Sequence, residues 1–329
     1  MPASQGYTDN VVDLKVLREL VGSDWTNESV LVQSGVIEMD NTPLPSGTYS
    51  VAVRNQMFED DDEGQALGIG SSLSSKERTQ IEISHPIIRR GNIGLIDDIQ
   101  GEVQAGGPDD IARIAQEARR AAAVYFDTAV LQCIFGGAAA NATGNNGGAG
   151  NTVGNGAIIS LDLLNQLKWC RDDYGSRFQN GFLLMRSTVA QTMWGLGLVA
   201  QTSNTFGVSA QNEIVLSGIA PKVLGMGILV SDKVTPPDAT DEYVYALEKG
   251  SIRVRGDMTP KFRFSDVENG FADKIKFRIT FSAGIKGMKW SGSQQDIYTN
   301  AELATSTNWA LGYRVAKQVP VARLKTDNA

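Results

Sequence analysis

The longest regular pattern of apolar and polar positions lies over residues 106–137, GGPDDIARIAQEARRAAAVYFDTAVLQCIFGG. Apolar side chains recur at Ile111, Ile114, Ala115, Ala118, Ala122, Tyr125, Ala129 and Cys133, the three- and four-residue spacing of one helical face. Arg113, Glu117, Arg120 and Asp127 fall on the opposite face, with Arg113 and Glu117 one turn apart. Pro108 suits the first turn, where its missing N–H would have no partner, and Asp109 and Asp110 sit at the positive end of the helix dipole. Gly136 and Gly137 are the expected stop. At ~1.5 Å per residue the rod would be roughly 40 Å long. A rod of that length needs something extended to lie against.

Upstream, the period changes to two. TYSVAVRNQMF places Tyr49, Val51 and Val53 on one face, and ERTQIEISHPIIRR returns with Thr79, Ile81 and Ile83 on one face. The two predict a long β-hairpin around a polar, glycine-containing tip. A structureless loop of that size is unusual in a compact domain, so the expected hairpin is an arm that packs on another chain. The acidic run at 59–63, EDDDE, reads as a solvated tip, since its spacing matches no calcium loop. Ile93, Leu95, Ile96, Ile99 and Val103 lead from the hairpin into the long helix. Nearer the N-terminus, residues 11–21 hold a short amphipathic helix, either peripheral or part of an arm on a neighbouring subunit. Residues 30–45 are expected to be extended because of Pro43 and Pro45.

Residues 138–157, rich in Gly and Asn and uncharged, predict an exposed flexible loop. Residues 158–245 read as an α/β unit. Ser160 caps a helix with Leu161, Leu164, Leu167 and Trp169 or Cys170 inward. GFLLMRS is a buried strand, Ser187 opens another helix, and strands follow at 213–217 and 226–231. Residues 242–290 are mostly β. In the longest run, KIKFRITFSAGIKGMKW, Ile275, Phe277, Ile279 and Phe281 face one way and Lys274, Lys276 and Arg278 the other. A short segment at 300–309 precedes a terminal strand, VPVARLK. Trp169, Trp194, Trp290 and Trp309 are expected as core anchors rather than a sugar-binding stripe.

Composition narrows the chemistry. The chain has 329 residues, 42% hydrophobic and 20% charged, enough for a sizeable core. A net charge of −7 argues against a protein that grips nucleic acid through a basic face. The 35 glycines point to many turns. No secretory signal is visible, and no apolar run approaches the roughly 20 residues of a membrane span. Cys133 and Cys170 read as buried free thiols, with a disulfide the lesser alternative. His85 is the only histidine, so a histidine-based metal site is closed, and no nucleophile-elbow pattern accompanies it. No phosphate loop, dinucleotide fingerprint or CxxC occurs. No cofactor, metal or catalytic residue is expected.

Several stretches, in order, resemble the major capsid protein of tailed bacteriophages, the α+β fold named after phage Hong Kong 97. The 106–137 helix looks like that family's spine helix, entered by a Gly-Pro-Asp turn. The hairpin at about 47–88 lies where its E-loop belongs. ISLDLLNQLKWCRDDYGSRFQNGFLLMRSTVAQTMW is similar to the start of its axial domain, and NAELATSTNWALGYRVAKQVPVARLK to the ending common in these coat proteins. The resemblance covers about residues 45–325 and rests on the ordered set rather than on one motif.

It implies an N-terminal arm at 1–46, an E-loop hairpin at 47–90, a peripheral domain with spine helix and following loop at 91–157, an axial domain at 158–244, and return strands with the C-terminal segment at 245–329. It implies pentamers and hexamers closing into an icosahedral shell around double-stranded DNA, assembled in the host cytoplasm. Expected partners are other copies of the chain, a scaffolding protein encoded separately, a portal protein, a cement protein, and DNA held by weak non-specific contact, with no membrane. Because no long scaffold-like segment precedes the arm, the chain is expected to remain uncleaved. Met57, Phe58, Ile69 and Leu73 are the expected inter-subunit anchors, being apolar near an exposed tip. Residues 201–211 are the candidate for the capsomer centre. Lys76, the hairpin's lysine, reads as a plain surface residue. Three other readings stay open: an encapsulin-type bacterial cage of the same fold, a β-rich surface or tail binding protein, and a hydrolase using His85.

Overall fold

The computed structural model describes residues 24–44, 49–54, 80–97, 108–141, 152–198, 223–234, 241–256, 260–266, 272–313 and 316–327. In chain order its strands are β1 (Ile37–Asp40), β2 (Tyr49–Arg54), β3 (Gln80–His85), β4 (Ile87–Asp97), β5 (Thr152–Ile158), β6 (Phe182–Met185) and β7 (Gly227–Val230). They continue with β8 (Asp241–Leu247), β9 (Ile252–Arg255), β10 (Lys261–Asp266), β11 (Ala272–Ile285), β12 (Met288–Trp290), β13 (Trp309–Leu311) and β14 (Val321–Asp327).

β11 is the axis of the first sheet. It pairs antiparallel with β4 from Ala272↔Asp97 to Ser282↔Ile87. Its other edge takes β10 and then β9, and β1 joins β9 in parallel. The long helix, Pro108–Ala140, lies on this sheet. Tyr125 stacks on Phe277 with ring centroids 5.9 Å apart, and Phe126 meets Phe281 at 4.9 Å. The 2-residue alternation of β11 therefore does what the pattern predicts where it is described: Ile279 and Phe281 are buried, Lys276 and Arg278 exposed.

The second sheet has the order β5-β14-β8-β6-β7. It is covered on both faces, which explains the unbroken apolar run of β6. Leu184, Tyr245, Leu247 and Val321 join the core under the long helix, with Phe135 and Tyr245 5.2 Å apart. Their chain neighbours Leu183, Met185, Val244, Ala246 and Ala322 join a second core, built with the helices Leu161–Trp169 and Ser187–Gly195.

Several expectations are corrected. The long helix does not stop at Gly136 and Gly137 but continues to Ala140. These glycines serve close approach instead. A Cβ on Gly136 would lie 2.3 Å from the Leu303 carbonyl oxygen, and one on Gly137 2.6 Å from Ile285 Cδ1. The same helix holds a stretch, Gln116–Ala140, long and apolar enough by length and composition to cross a membrane, but most of it is packed inside the core. Residues 30–45 are not all extended: Ser29 caps a short helix, Val30–Gln33, before β1. The glycine-rich stretch after the long helix ends in β5, which pairs in parallel with β14. Leu161 and Trp169 are 46% and 51% exposed, and Trp194 39%, so only Trp290 and Trp309 among the four expected tryptophans anchor the core. They pack edge to face at 5.2 Å. Trp25, fully buried, is an anchor the pattern missed. Cys133 and Cys170 are free, the first buried and the second half-buried. The helix expected at 11–21, the hairpin tip with its acidic run and Lys76, the strand at 213–217 and the segment 201–211 lie outside the described residues.

Candidate assembly surfaces

The hairpin comes first, because the sequence points to it. β2 and β3 pair antiparallel from Tyr49↔His85 to Arg54↔Gln80. β3 passes through Pro86 directly into β4, so the hairpin leaves the first sheet where β4 begins. Its base is fixed. His85 is buried, with Nε2 3.1 Å from the Met288 carbonyl oxygen, and burial lowers its pKa to about 4. A neutral ring with its proton on Nε2 donates to that carbonyl. The ring fits because residue 284 is glycine: a Cβ there would lie 2.4 Å from His85 Cδ2. Ser84 Oγ donates to the Trp290 carbonyl at 3.1 Å. His85 and Ser84 thus tie the hairpin to β12. The expected anchors Met57, Phe58, Ile69 and Leu73 fall between Arg54 and Gln80, outside the described residues.

A second surface holds the N-terminal segment. Trp25 packs edge-on against Phe126 at 5.2 Å. Ser29 Oγ accepts from Val32 N at 3.2 Å and donates to Asp127 Oδ1 at 2.5 Å, while Val30 N donates to Asp127 Oδ2 at 3.2 Å. Asp127 therefore caps the Val30–Gln33 helix from the long helix, rather than facing solvent as its spacing predicts. Desolvation raises its carboxyl pKa to about 6, against the pull of these hydrogen bonds and of Lys233. Lys233 itself donates to Thr128 Oγ1 beside it. The signal that could have found this helix is Ser29 before an apolar run, an ordinary N-cap pattern.

A third surface is the face of the first sheet turned away from the long helix. Register sets Lys261 of β10 directly opposite Arg278 of β11, and Ile93 of β4 opposite Lys276. All four are exposed, Ile93 at 57%. Among the described residues none of these three cations has an ion pair. At the other end of the sheet cations are matched: Arg253 lies 3.7 Å and Lys286 still closer to Glu38, and Arg255 lies 3.6 Å from Asp40.

The second sheet carries buried polar staples that the sequence pattern did not reveal. Arg171 is fully buried. Its Nε donates to the Lys317 carbonyl at 2.8 Å, Nη2 to that of Gln318 at 3.2 Å, and Nη1 pairs with Glu248. Glu242, also buried, pairs with Arg186 at 2.8 Å. Asp232 accepts from Ser187 N at 3.1 Å and Oγ at 2.6 Å, capping the Ser187–Gly195 helix. These groups fix loops, and among the described residues no cluster of three or more His, Cys, Asp or Glu is placed to hold a metal.

A long helix laid across an extended sheet, a hairpin rooted at that sheet's end and a second, doubly covered sheet define the Hong Kong 97-like α+β capsid fold. The chain belongs to the phage capsid protein family, whose match covers residues 96–295. No curated protein matches it. Among solved structures, the capsid of the cyanophage P-SCSP1u is similar at a TM-score of 0.53 and 12% identity, over 89% of this chain and 87% of that one. The mature capsid of bacteriophage PhiM1 is similar at 0.52 and 13% identity, over 89% and 86%. The SrpI encapsulin of Synechococcus elongatus is similar at 0.51 and 12% identity, over 88% and 85%. Likeness at these identities concerns the fold, which phage shells and encapsulins share. The family match is to the phage proteins. The chain is a major capsid protein of a tailed phage, a structural protein that self-assembles into the virion shell.

Proposed function

We infer that the protein forms pentamers and hexamers that close into an icosahedral shell around double-stranded DNA, and that neighbouring copies are joined through the hairpin and the N-terminal arm. The observation that carries this reading is the hairpin itself. β2 pairs only with β3 among the described strands, and a two-stranded hairpin alone is marginal in water. A hairpin fixed at its root by His85 and Ser84, with only its own two strands paired to each other among the described strands, is suited to meet a partner surface. Met57, Phe58, Ile69 and Leu73 are the residues proposed to meet that partner. If hairpin and arm together bury on the order of 2,000 Å², the gross apolar gain at about 25 cal/mol per Å² is tens of kcal/mol, most of it offset by ordering the arms and fixing the subunits. Each contact stays weak enough to correct errors, and the closed shell is stable through many of them.

The segments 1–46, 47–90, 91–157, 158–244 and 245–329 then act as arm, E-loop, peripheral domain, axial domain and return strands. Assembly takes place in the host cytoplasm on a separate scaffolding protein, with a portal at one vertex, a cement protein outside and DNA held loosely within. Expression with and without a scaffolding protein from the same phage, followed by light scattering and negative-stain microscopy, tests this. Closed shells tens of nanometres across that need the scaffold are expected. Small uniform cages formed without it would favour an encapsulin-like container instead, and a persistent monomer would overturn the shell.

A further inference from the structure

We propose that Asp127 links the docking of residues 24–34 on the long helix to protons: the segment is held more tightly as the solution is acidified and opens more readily at neutral pH. The inference rests on the reading of residues 1–46 as an arm and adds what regulates its root.

Asp127 sits where a carboxylate is costly. On the same side of the long helix Glu117, Arg120 and Val124 are exposed, Val124 at 48%. Asp127 follows Val124 by three residues and Arg120 by seven, so the bare helix would present it to water as well. The segment covers it instead. Trp25 and Ser29 are fully buried, Trp25 packs on Phe126, and Ser29 Oγ and Val30 N both donate to the carboxylate. Docking therefore takes water from a charged group and returns hydrogen bonds, with no ion pair to Asp127 among the described residues.

The charges around it do not offset that loss. Lys233, on the stretch after β7, favours the ionised form, yet its ammonium donates to Thr128 Oγ1 rather than to the carboxylate. Asp232 beside it is committed to Ser187. The segment's own ionisable groups, Asp24 and Glu28, have the same sign as Asp127. Within one turn of the long helix the positions on its side are Ala123, Val124, Val130 and Leu131, none charged, and Arg120 is two turns away. Desolvation is the largest effect and holds the carboxyl at about 6, against an ordinary 3.8.

The contact also takes up a proton without breaking. A hydroxyl both donates and accepts. Ser29 Oγ, 2.5 Å from Oδ1, donates to the carboxylate and can accept from Oδ1–H once the acid is neutral, while Oδ2 goes on accepting from Val30 N. The docked acid thus binds a proton more readily than the undocked one. Falling pH favours docking, from about pH 6 downward, and the gain is complete below 3.8. Between pH 7.5 and pH 5 the docking equilibrium shifts by roughly tenfold. Acid holds the root of the arm on its own subunit, and neutral pH frees it more often for contacts with neighbours.

Hydrogen exchange on the unassembled full chain, corrected for intrinsic rates at each pH, reads this opening. The amides of Val32, Gln33 and Ser34 report it, since each is bonded to Ser29 or Val30 in a helix too short to persist undocked. Their protection should rise roughly tenfold from pH 7.5 to pH 5. Asp127→Asn keeps an acceptor for Val30 N but removes the proton site, so its protection should be flat over that range. Lys233→Gln removes the cation that favours the ionised form, so the rise should begin at higher pH, a shift that a merely structural role would not produce. No rise in the parent chain, an undiminished rise in Asp127→Asn, or an unmoved midpoint in Lys233→Gln would overturn the proposal. If circular dichroism shows Asp127→Asn to be unfolded, the parent chain and Lys233→Gln decide it. The measurement needs no shell: a parent chain that never assembles defeats the shell reading, while exchange in the subunit still decides the proton linkage.

Discussion

Two titratable residues, His85 buried and Asp127 half-buried, work against each other. His85 is held neutral by burial, its pKa falling from 6.5 to about 4. The unfolded chain takes up a proton first as pH drops, so its contribution to stability is present above pH 6.5 and is lost towards pH 4. Asp127 behaves in the opposite sense. Its pKa rises from 3.8 to about 6, so the folded chain takes up the proton first, and its contribution is present below pH 3.8 and lost as pH rises through 6. Each is worth about 3 kcal/mol across its window, so the two nearly cancel between pH 4 and 6. Asp127→Asn should unmask the histidine. Melting of the unassembled variant is expected to fall several degrees more than wild type between pH 6 and 4. His85→Gln should show the reverse, with relative stability rising towards acid. Parallel pH profiles in all three proteins would count against both assignments.

At the scale of elements, Gly136 gives the sharpest prediction. Gly136→Ala adds a methyl 2.3 Å from the Leu303 carbonyl oxygen and close to the Trp309 ring, so the Asn300–Ala304 helix must shift. Loss of about 1–3 kcal/mol is expected from such overpacking, against the small gain that alanine brings to an ordinary helix interior. Chemical denaturation would read the difference, and a stabilised variant would mean the contact is loose. The Asn300–Ala304 helix starts with a full capping box between Thr299 and Glu302. Thr299→Ala should cost about 1 kcal/mol by the same measurement.

These elements also show what was readable in advance. The long helix, the alternation in β11 and the Ser160 cap were legible because each is set by residues within a few turns or pairs of one another. Gly136 and Gly137 misled because a glycine that ends a helix and one that admits a neighbour are identical in sequence. What decides between them is Leu303 and Ile285, more than a hundred residues away. β5 was hidden for the same reason: TVGNGAI has little strand character of its own and is held as a strand by β14. The cationic face was half visible, as alternating charge in β11, but its crowding depends on β10 and β4 arriving beside it.

For the whole molecule, the most consequential feature is the shared sheet. The resemblance divides the chain into peripheral and axial domains, which on its own would allow two units melting separately. β6, β8 and β14 instead send alternate residues into both cores: Leu184 and Tyr245 under the long helix, Leu183 and Val244 into the other side. Neither core can open without uncovering one face of the same strands. Arg171 adds a buried link from the segment Asp172–Asn180 to Gln318 and Glu248. The unassembled subunit should therefore unfold in one cooperative calorimetric transition, with calorimetric and van't Hoff enthalpies in agreement. Leu184→Ala, in the shared layer, should lower that transition by about 2–5 kcal/mol without splitting it. Two resolved peaks, or a variant that moves only one, would show that the domains are independent. A single transition has a mechanical consequence for the shell. A body that does not yield between its two sheets transmits load as one piece.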